Sequence, residues 1–237
     1  MDKEAPATRR PRKKQGYHHR DLRAAVIQTA LELTAQRGGP YFSLREVAQA
    51  LGVAHTAVYR HFANKAALYD VLIQEGFIIL HRFQTEEQDR AAPDPLSRLQ
   101  ALTIAYLRLA TEETGFFRML FENRPGLRPD EGQGGGHQER AFETLLSAIR
   151  SCQEAGLVVA GDPAQIAGYL LLAPHGLAAY LTQPVSPGLV NERPVRLMRA
   201  EDLAIVGILP VLTNPPPPED IAQRFFRRTD EADEQNG

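Results

Sequence analysis

From Ser43 to Phe62 the chain reads SLREVAQALGVAHTAVYRHF, two short runs of helical hydrophobic spacing divided by one glycine. Few folds accept such a stretch. Leu44, Val47, Ala48 and Leu51 share one face of the first run, and Ser43 with Glu46 has the spacing of a capping box that starts it. Gly52 stands where a chain with positive φ turns sharply. Ala54 to His61 then reads as a second short helix, with Ala57, Val58 and Phe62 available to a core and a polar front.

The flanks complete a small helical unit. Leu22, Ala25, Val26, Thr29, Ala30 and Leu33 fall on one face of a helix, with Asp21 as its cap and Gly38-Gly39-Pro40 as its stop. Asn64 caps a fourth, long helix that turns Leu68, Val71 and Leu72 inward. Two short helices about a glycine turn, the second polar at its front, make a helix-turn-helix. Such a motif needs small residues between its helices, here Ala48 beside Leu51, and a second helix whose front meets base edges in the major groove. His55 and Thr56 sit at that front. Tyr59, His61 and Lys65 follow where phosphates flank the groove.

The stretch SLREVAQALGVAHTAVYRHFANKAALYDVL resembles the DNA-binding domain of the TetR family of bacterial transcriptional regulators. The shared elements are an (S/T)-x-R-x-(V/I)-A run, then x-x-G-V, then Y-x-H-F-x-x-K-x-x-L, over about residues 20–72. The resemblance implies that Arg45 contacts a base or phosphate, that His55 and Thr56 read bases, and that Tyr59, His61 and Lys65 clamp the backbone. It further implies that Ser43 sets its helix N-terminus toward a phosphate. His55 and His61 are six residues apart and point in different directions, while His18-His19 has no partner at helical spacing, so no metal or other cofactor is expected.

Beyond residue 90 the helical period continues with no competing strand pattern, and the expected fold class is all-α. Ala91-Ala-Pro-Asp-Pro95 reads as a joint, the segment 125–136 as a mobile glycine-rich loop, and 184–194 as a proline-rich loop. The expected division is a basic arm (1–19), a helix-turn-helix domain (20–66), a helical dimerisation and effector domain (67–214) and an extended or disordered tail (215–237). Residues 162–182 are apolar nearly all round, which predicts a deeply buried helix kinked at Pro174, and a last helix is expected over 200–212, bent by Pro210.

GFFRMLFE and, some 55 residues later, APHGLAAYL also resemble the C-terminal domain of a TetR subgroup with a Trp-x-x-His-Gly-like signature, although this chain has no Trp and reads Ala173-Pro174-His175 before Gly176. That resemblance implies dimerisation through the last two helices and a small-molecule pocket. His175, a lone polar group beside a helix-kinking proline, is the candidate to orient a small hydrophobic effector, or else a structural histidine. Tyr106, Phe116, Phe117, Met119 and Tyr169 are the candidate walls.

The asymmetry of charge suggests a polyanion partner at one end, or else a solvated, tag-like basic tail. The net charge of −2 divides into +7 over residues 1–65 and −9 over the remainder. Arg9-Arg10-Pro-Arg-Lys-Lys14 is suited to a narrow minor groove, or to nonspecific attraction alone. No apolar run is long enough for a membrane span and no secretory signal is expected, while a single cysteine, Cys152, fits a reducing compartment. A phosphate-binding glycine loop, a nucleophile elbow and metal-ligand spacing are all missing, which argues against an enzyme. The expectation is a cytoplasmic, nucleoid-associated bacterial homodimer that binds a palindromic double-stranded operator as a ligand-released repressor. The alternative is a constitutive or architectural DNA-binding protein with a filled C-terminal core.

Overall fold

The computed structural model describes residues 22–121, 136–182 and 199–225. The basic arm, Asp21, residues 125–135 of the glycine-rich segment, the proline-rich loop and the acidic end of the tail lie outside the described residues. The described chain is helical: α1 (Leu22–Arg37), α2 (Leu44–Leu51), α3 (His55–Tyr59), α4 (Lys65–Arg90), α5 (Pro95–Glu112), α6 (Thr114–Phe121), α7 (His137–Glu154), α8 (Pro163–Thr182), α9 (Ala200–Val206) and α10 (Pro218–Phe225). A 3₁₀ turn covers Leu209–Val211. Among the described residues the only β pairing is an isolated bridge between Val158 and Leu212.

Starts and stops follow from side-chain chemistry. The Ser43 hydroxyl accepts from the Glu46 N–H while the Glu46 carboxylate accepts from the Ser43 N–H, a complete capping box on α2. Asn64 Oδ1 accepts from the Ala67 N–H at 2.9 Å to open α4, and Asp94 Oδ1 accepts from the Ser97 N–H at 2.9 Å to open α5. Gly52 closes α2 in the left-handed region, at φ 68°.

The first three helices close around Val26, Ala30, Val47, Val58 and Phe62, all buried. α4 then runs out of this head into the larger body, where it packs on α5, α6 and α7. α6 lies against both α1 and α4. Its Gly115 permits that approach, because a Cβ there would stand 2.8 Å from the Leu31 carbonyl oxygen. The Tyr69 hydroxyl donates to the Met119 carbonyl at 3.2 Å, and the Thr34 hydroxyl lies 3.6 Å from Met119 Sδ. One hydrophobic core therefore runs from the head into the body without a break. A second, built on Leu99, Leu145, Ile149, Cys152, Ile166 and Ile208, fastens α5, α7 and α8 at the far end. Arg108 ties α5 to α4 through Glu86 and Glu87, with its guanidinium carbon 4.1 Å from the Phe83 ring centroid.

Four elements differ from expectation. α3 ends at Tyr59 rather than His61, because the His61 N–H bonds to the Val58 carbonyl three residues back and tightens the last turn. α8 is not deeply buried: Tyr169, Leu172 and Leu181 are 46%, 67% and 41% exposed. Its inner face of Ile166, Ala167, Pro174, Leu177 and Ala178 packs on the body, while the other described residues leave an apolar outer face exposed. α9 stops at Val206, and Pro210 falls within the separate 3₁₀ turn. The tail read as extended or disordered contains α10, begun by Pro218 with Glu219 and Asp220 in its first turn.

Candidate nucleic-acid interface and helical-domain cavity

The front of α3 and the adjoining face of α2 build one open cleft of about 520 Å³, lined by Arg45, His55, Thr56, Tyr59 and Arg60. Sequence dictates its shape. Val58 is wholly buried and Phe62 nearly so, which fixes the back of α3 and turns the polar front outward. Gly52 sets the angle between the helices, with the Val53 N–H returning to the Ala48 carbonyl at 3.0 Å. The His55 and Tyr59 rings meet edge to face with centroids 6.4 Å apart. Two guanidinium groups and no carboxylate line the cleft, so it favours a polyanion over a neutral surface.

The remaining sequence-predicted residues take other positions. Ser43 is exposed, but its hydroxyl donates to Glu46 Oε2 at 2.8 Å, and the carboxylate occupies the N-terminus of α2. That hydroxyl, joined by the Arg37 guanidinium, holds the Glu46 carboxyl below the ordinary carboxylate range. His61 is exposed in the turn after α3, outside the cleft. Lys65 is half-buried, and its ammonium donates to the Pro40 carbonyl at 2.6 Å while standing 4.5 Å from the Phe42 ring centroid. Arg60 was missed by sequence reasoning. Its signal was a basic residue one position beyond Tyr59, continuing the polar front past the last helical turn.

The body holds a separate, partly open cavity of about 200 Å³ between helices α4 to α9. Phe77, Leu80, Leu102, Phe121, Phe142 and Leu171 supply much of its wall. Of the predicted wall residues only Tyr106 lines it. Phe116 and Phe117 are buried in the core beside it, and Met119 faces α1 and α4. Tyr169 lies on the exposed outer face of α8. His175 is filled around rather than facing open space: Tyr106 Oη is 2.8 Å from its Nδ1, and the Phe117 and Phe121 ring centroids lie 6.0 and 5.9 Å from its own. Burial pushes the Tyr106 phenol above its ordinary pKa. Gln84 lines the cavity and was also missed. It falls on the same face of α4 as Phe77 and Leu80, seven and four residues before it, the one amide in an apolar stripe.

The family model for bacterial regulatory proteins of the tetR family matches residues 26–72. The tetracycline repressor protein class C of Escherichia coli is 43% identical over 67 residues, 28% of this chain and 31% of that relative. The chain thus spans less than a third of the length of this curated relative. Among solved structures, the TetR family transcriptional regulator PfmR from Thermus thermophilus is similar with a TM-score of 0.59 at 23% identity, covering 76% of this chain and 92% of that one. AibR, solved in complex with isovaleryl coenzyme A and operator DNA, is similar with a TM-score of 0.58 at 18% identity, covering 79% and 96%. At these identities the structural likeness establishes the fold.

Proposed function

We propose, from the premise that the N-terminal domain belongs to the TetR family of bacterial regulatory proteins, that this chain is a homodimeric transcriptional repressor released from a palindromic operator by a small apolar effector. The observation that carries the reading is the cleft formed by Arg45, His55, Thr56, Tyr59 and Arg60 on a helix-turn-helix. In this reading His55 and Thr56 meet base edges, Arg45, Tyr59 and Arg60 meet bases or flanking phosphates, and Lys65 holds the head in shape. No catalytic role is assigned to any residue.

Two further features support the finer parts. One helix-turn-helix makes few base contacts, and a two-fold dimer supplies a second half-site about one helical turn away. The uncovered outer face of α8, with Gly168, Tyr169, Leu172 and Gly176, is the surface proposed to pair. The cavity favours a sensor over the constitutive alternative, since a filled body would leave no room for an effector. AibR was solved with both a small molecule and its operator, which supports the same combination here. α6 touches the cavity through Phe121 and the head through Gly115 and Met119, so an occupant that shifts α6 changes the head with it.

Selection of bound duplexes from a random pool tests the reading. Enrichment of a palindrome with half-sites one helical turn apart is the expected outcome. Equal recovery of all sequences would leave only nonspecific attraction.

A further inference from the structure

The cavity states the chemistry of its own occupant, whose role as an effector rests on the function proposed above. Among the described residues its walls come mainly from six helices and contain no Lys, Arg, His, Asp or Glu side chain. A carboxylate or phosphate placed deep among these residues gives up hydration and gains no countercharge from them, so a neutral occupant is favoured over an anion. The polar groups that remain are amides and hydroxyls: Gln84, Gln100, Thr103, Tyr106 and Gln138.

Gln84 differs from the others. It is only 5% exposed, and its Nε2 donates to the Ala141 carbonyl on α7 at 3.1 Å. A carbonyl cannot donate, so this bond fixes which end of the amide is nitrogen. Gln84 Oε1 is then a buried acceptor with no hydrogen-bond partner among the described residues. A buried acceptor in an apolar wall gains most from an incoming N–H or O–H. The Tyr106 hydroxyl differs in already having a partner, His175 Nδ1 at 2.8 Å, so its need for a further bond is smaller.

Size narrows the class further. An apolar cavity of about 150 Å³ accommodates benzene, and the space here is about 200 Å³. The fit is a molecule of roughly ten non-hydrogen atoms.

We infer that the cavity takes an uncharged, largely hydrocarbon molecule of about that size, of the alkylphenol or short-chain alcohol class, with Gln84 Oε1 accepting its single hydrogen-bond donor.

Calorimetric titration of the full chain, without DNA, with 4-propylphenol, 4-propylanisole and 4-propylbenzoate tests this. The three share a skeleton and differ in offering a donor, no donor or a charge. The phenol is expected to bind about tenfold tighter than the anisole, the size of one hydrogen bond to a buried group, and the benzoate not to bind at neutral pH. Gln84→Leu is expected to bring the phenol-to-anisole ratio close to one while keeping the anisole bound. Equal binding of phenol and anisole to the unmutated protein overturns the inference, as does preferred binding of the benzoate or no binding of any probe. These outcomes are read on the unmutated chain, so they stand even if Gln84→Leu fails to fold. Operator affinity is then measured separately with the phenol present. Tight phenol binding that leaves operator affinity unchanged sustains the cavity's chemistry and removes only the effector reading.

Discussion

Lys65 Nζ lies 2.6 Å from the Pro40 carbonyl oxygen, joining the first turn of α4 to the segment that leads into α2. The same ammonium stands 4.5 Å from the Phe42 ring centroid. A cation so placed acts first on the geometry of the reading head. Lys65→Met keeps the aliphatic stem and removes both contacts. It is expected to lower unfolding stability by about 1–3 kcal/mol in urea titration and to weaken operator binding evenly across sequences. A residue that acted only on phosphate would leave stability intact and reduce the salt slope of binding by about one.

The cleft divides its residues by role. His55→Ala is expected to relax preference at one or two base positions, with a loss of about 1–3 kcal/mol confined to the best sequences. Arg60→Ala is expected to weaken all duplexes alike and to flatten the salt dependence. Binding to a panel of single-base operator variants, at two salt concentrations, separates these patterns. If His55→Ala follows every variant as the parent does, its role as reader is lost.

The local fold was legible because short-range chemistry determines it. Ser43 with Glu46, Gly52 and Asn64 each act within four residues, and each does in the structure what its spacing implies. The cavity was much less legible. Phe116, Phe117 and Met119 are apolar residues at helical spacing, and nothing local distinguishes a wall facing space from one facing a neighbouring helix. The pairing of Tyr106 with His175 spans 69 residues, and that of Gln84 with Ala141 spans 57, so neither contact is written in any one window of sequence. α8 misled for a related reason. An apolar helix reads as buried, although the described residues of a single chain leave its outer face exposed.

That outer face makes a prediction of its own. A Cβ built on Gly168 meets nothing within 4 Å, so a larger side chain there leaves the single chain's packing unchanged. Gly168→Arg is expected to keep the helical fold by circular dichroism while shifting sedimentation from dimer toward monomer, because a charge on a self-complementary face meets its own copy. A dimer of unchanged affinity would place the interface elsewhere.

Gly115 predicts the opposite behaviour. A Cβ at this position would stand 2.8 Å from the Leu31 carbonyl oxygen and 3.0 Å from Leu31 Cβ, where α6 and α1 press together. Neither contact is the end of a flexible side chain, so one helix must shift. Gly115→Ala is expected to cost about 1–3 kcal/mol of stability, the usual effect of overpacking, despite alanine's higher helix propensity. It should also alter operator affinity, since α1 belongs to the reading head. Unchanged melting and unchanged binding together would show that α1 and α6 are not rigidly coupled.

Cys152 is fully buried, and burial, with the Asp94 carboxylate adding to it, pushes its thiol up to about 11. In the unfolded chain the same thiol ionises near pH 8.5–9, roughly its free value. Below that range both states keep the proton and the group contributes nothing to the pH dependence. Between about pH 9 and 11 the unfolded state releases the proton while the folded state retains it, so stability falls as pH rises. Cys152→Ala is expected to reduce that decline relative to the parent, whatever it costs in packing at neutral pH. At pH 8 an aromatic disulfide reagent should leave the native thiol unlabelled and react promptly once denaturant is added. Rapid labelling of the native protein would mean that the core around Ile149 and Ile166 opens far more readily than its packing implies.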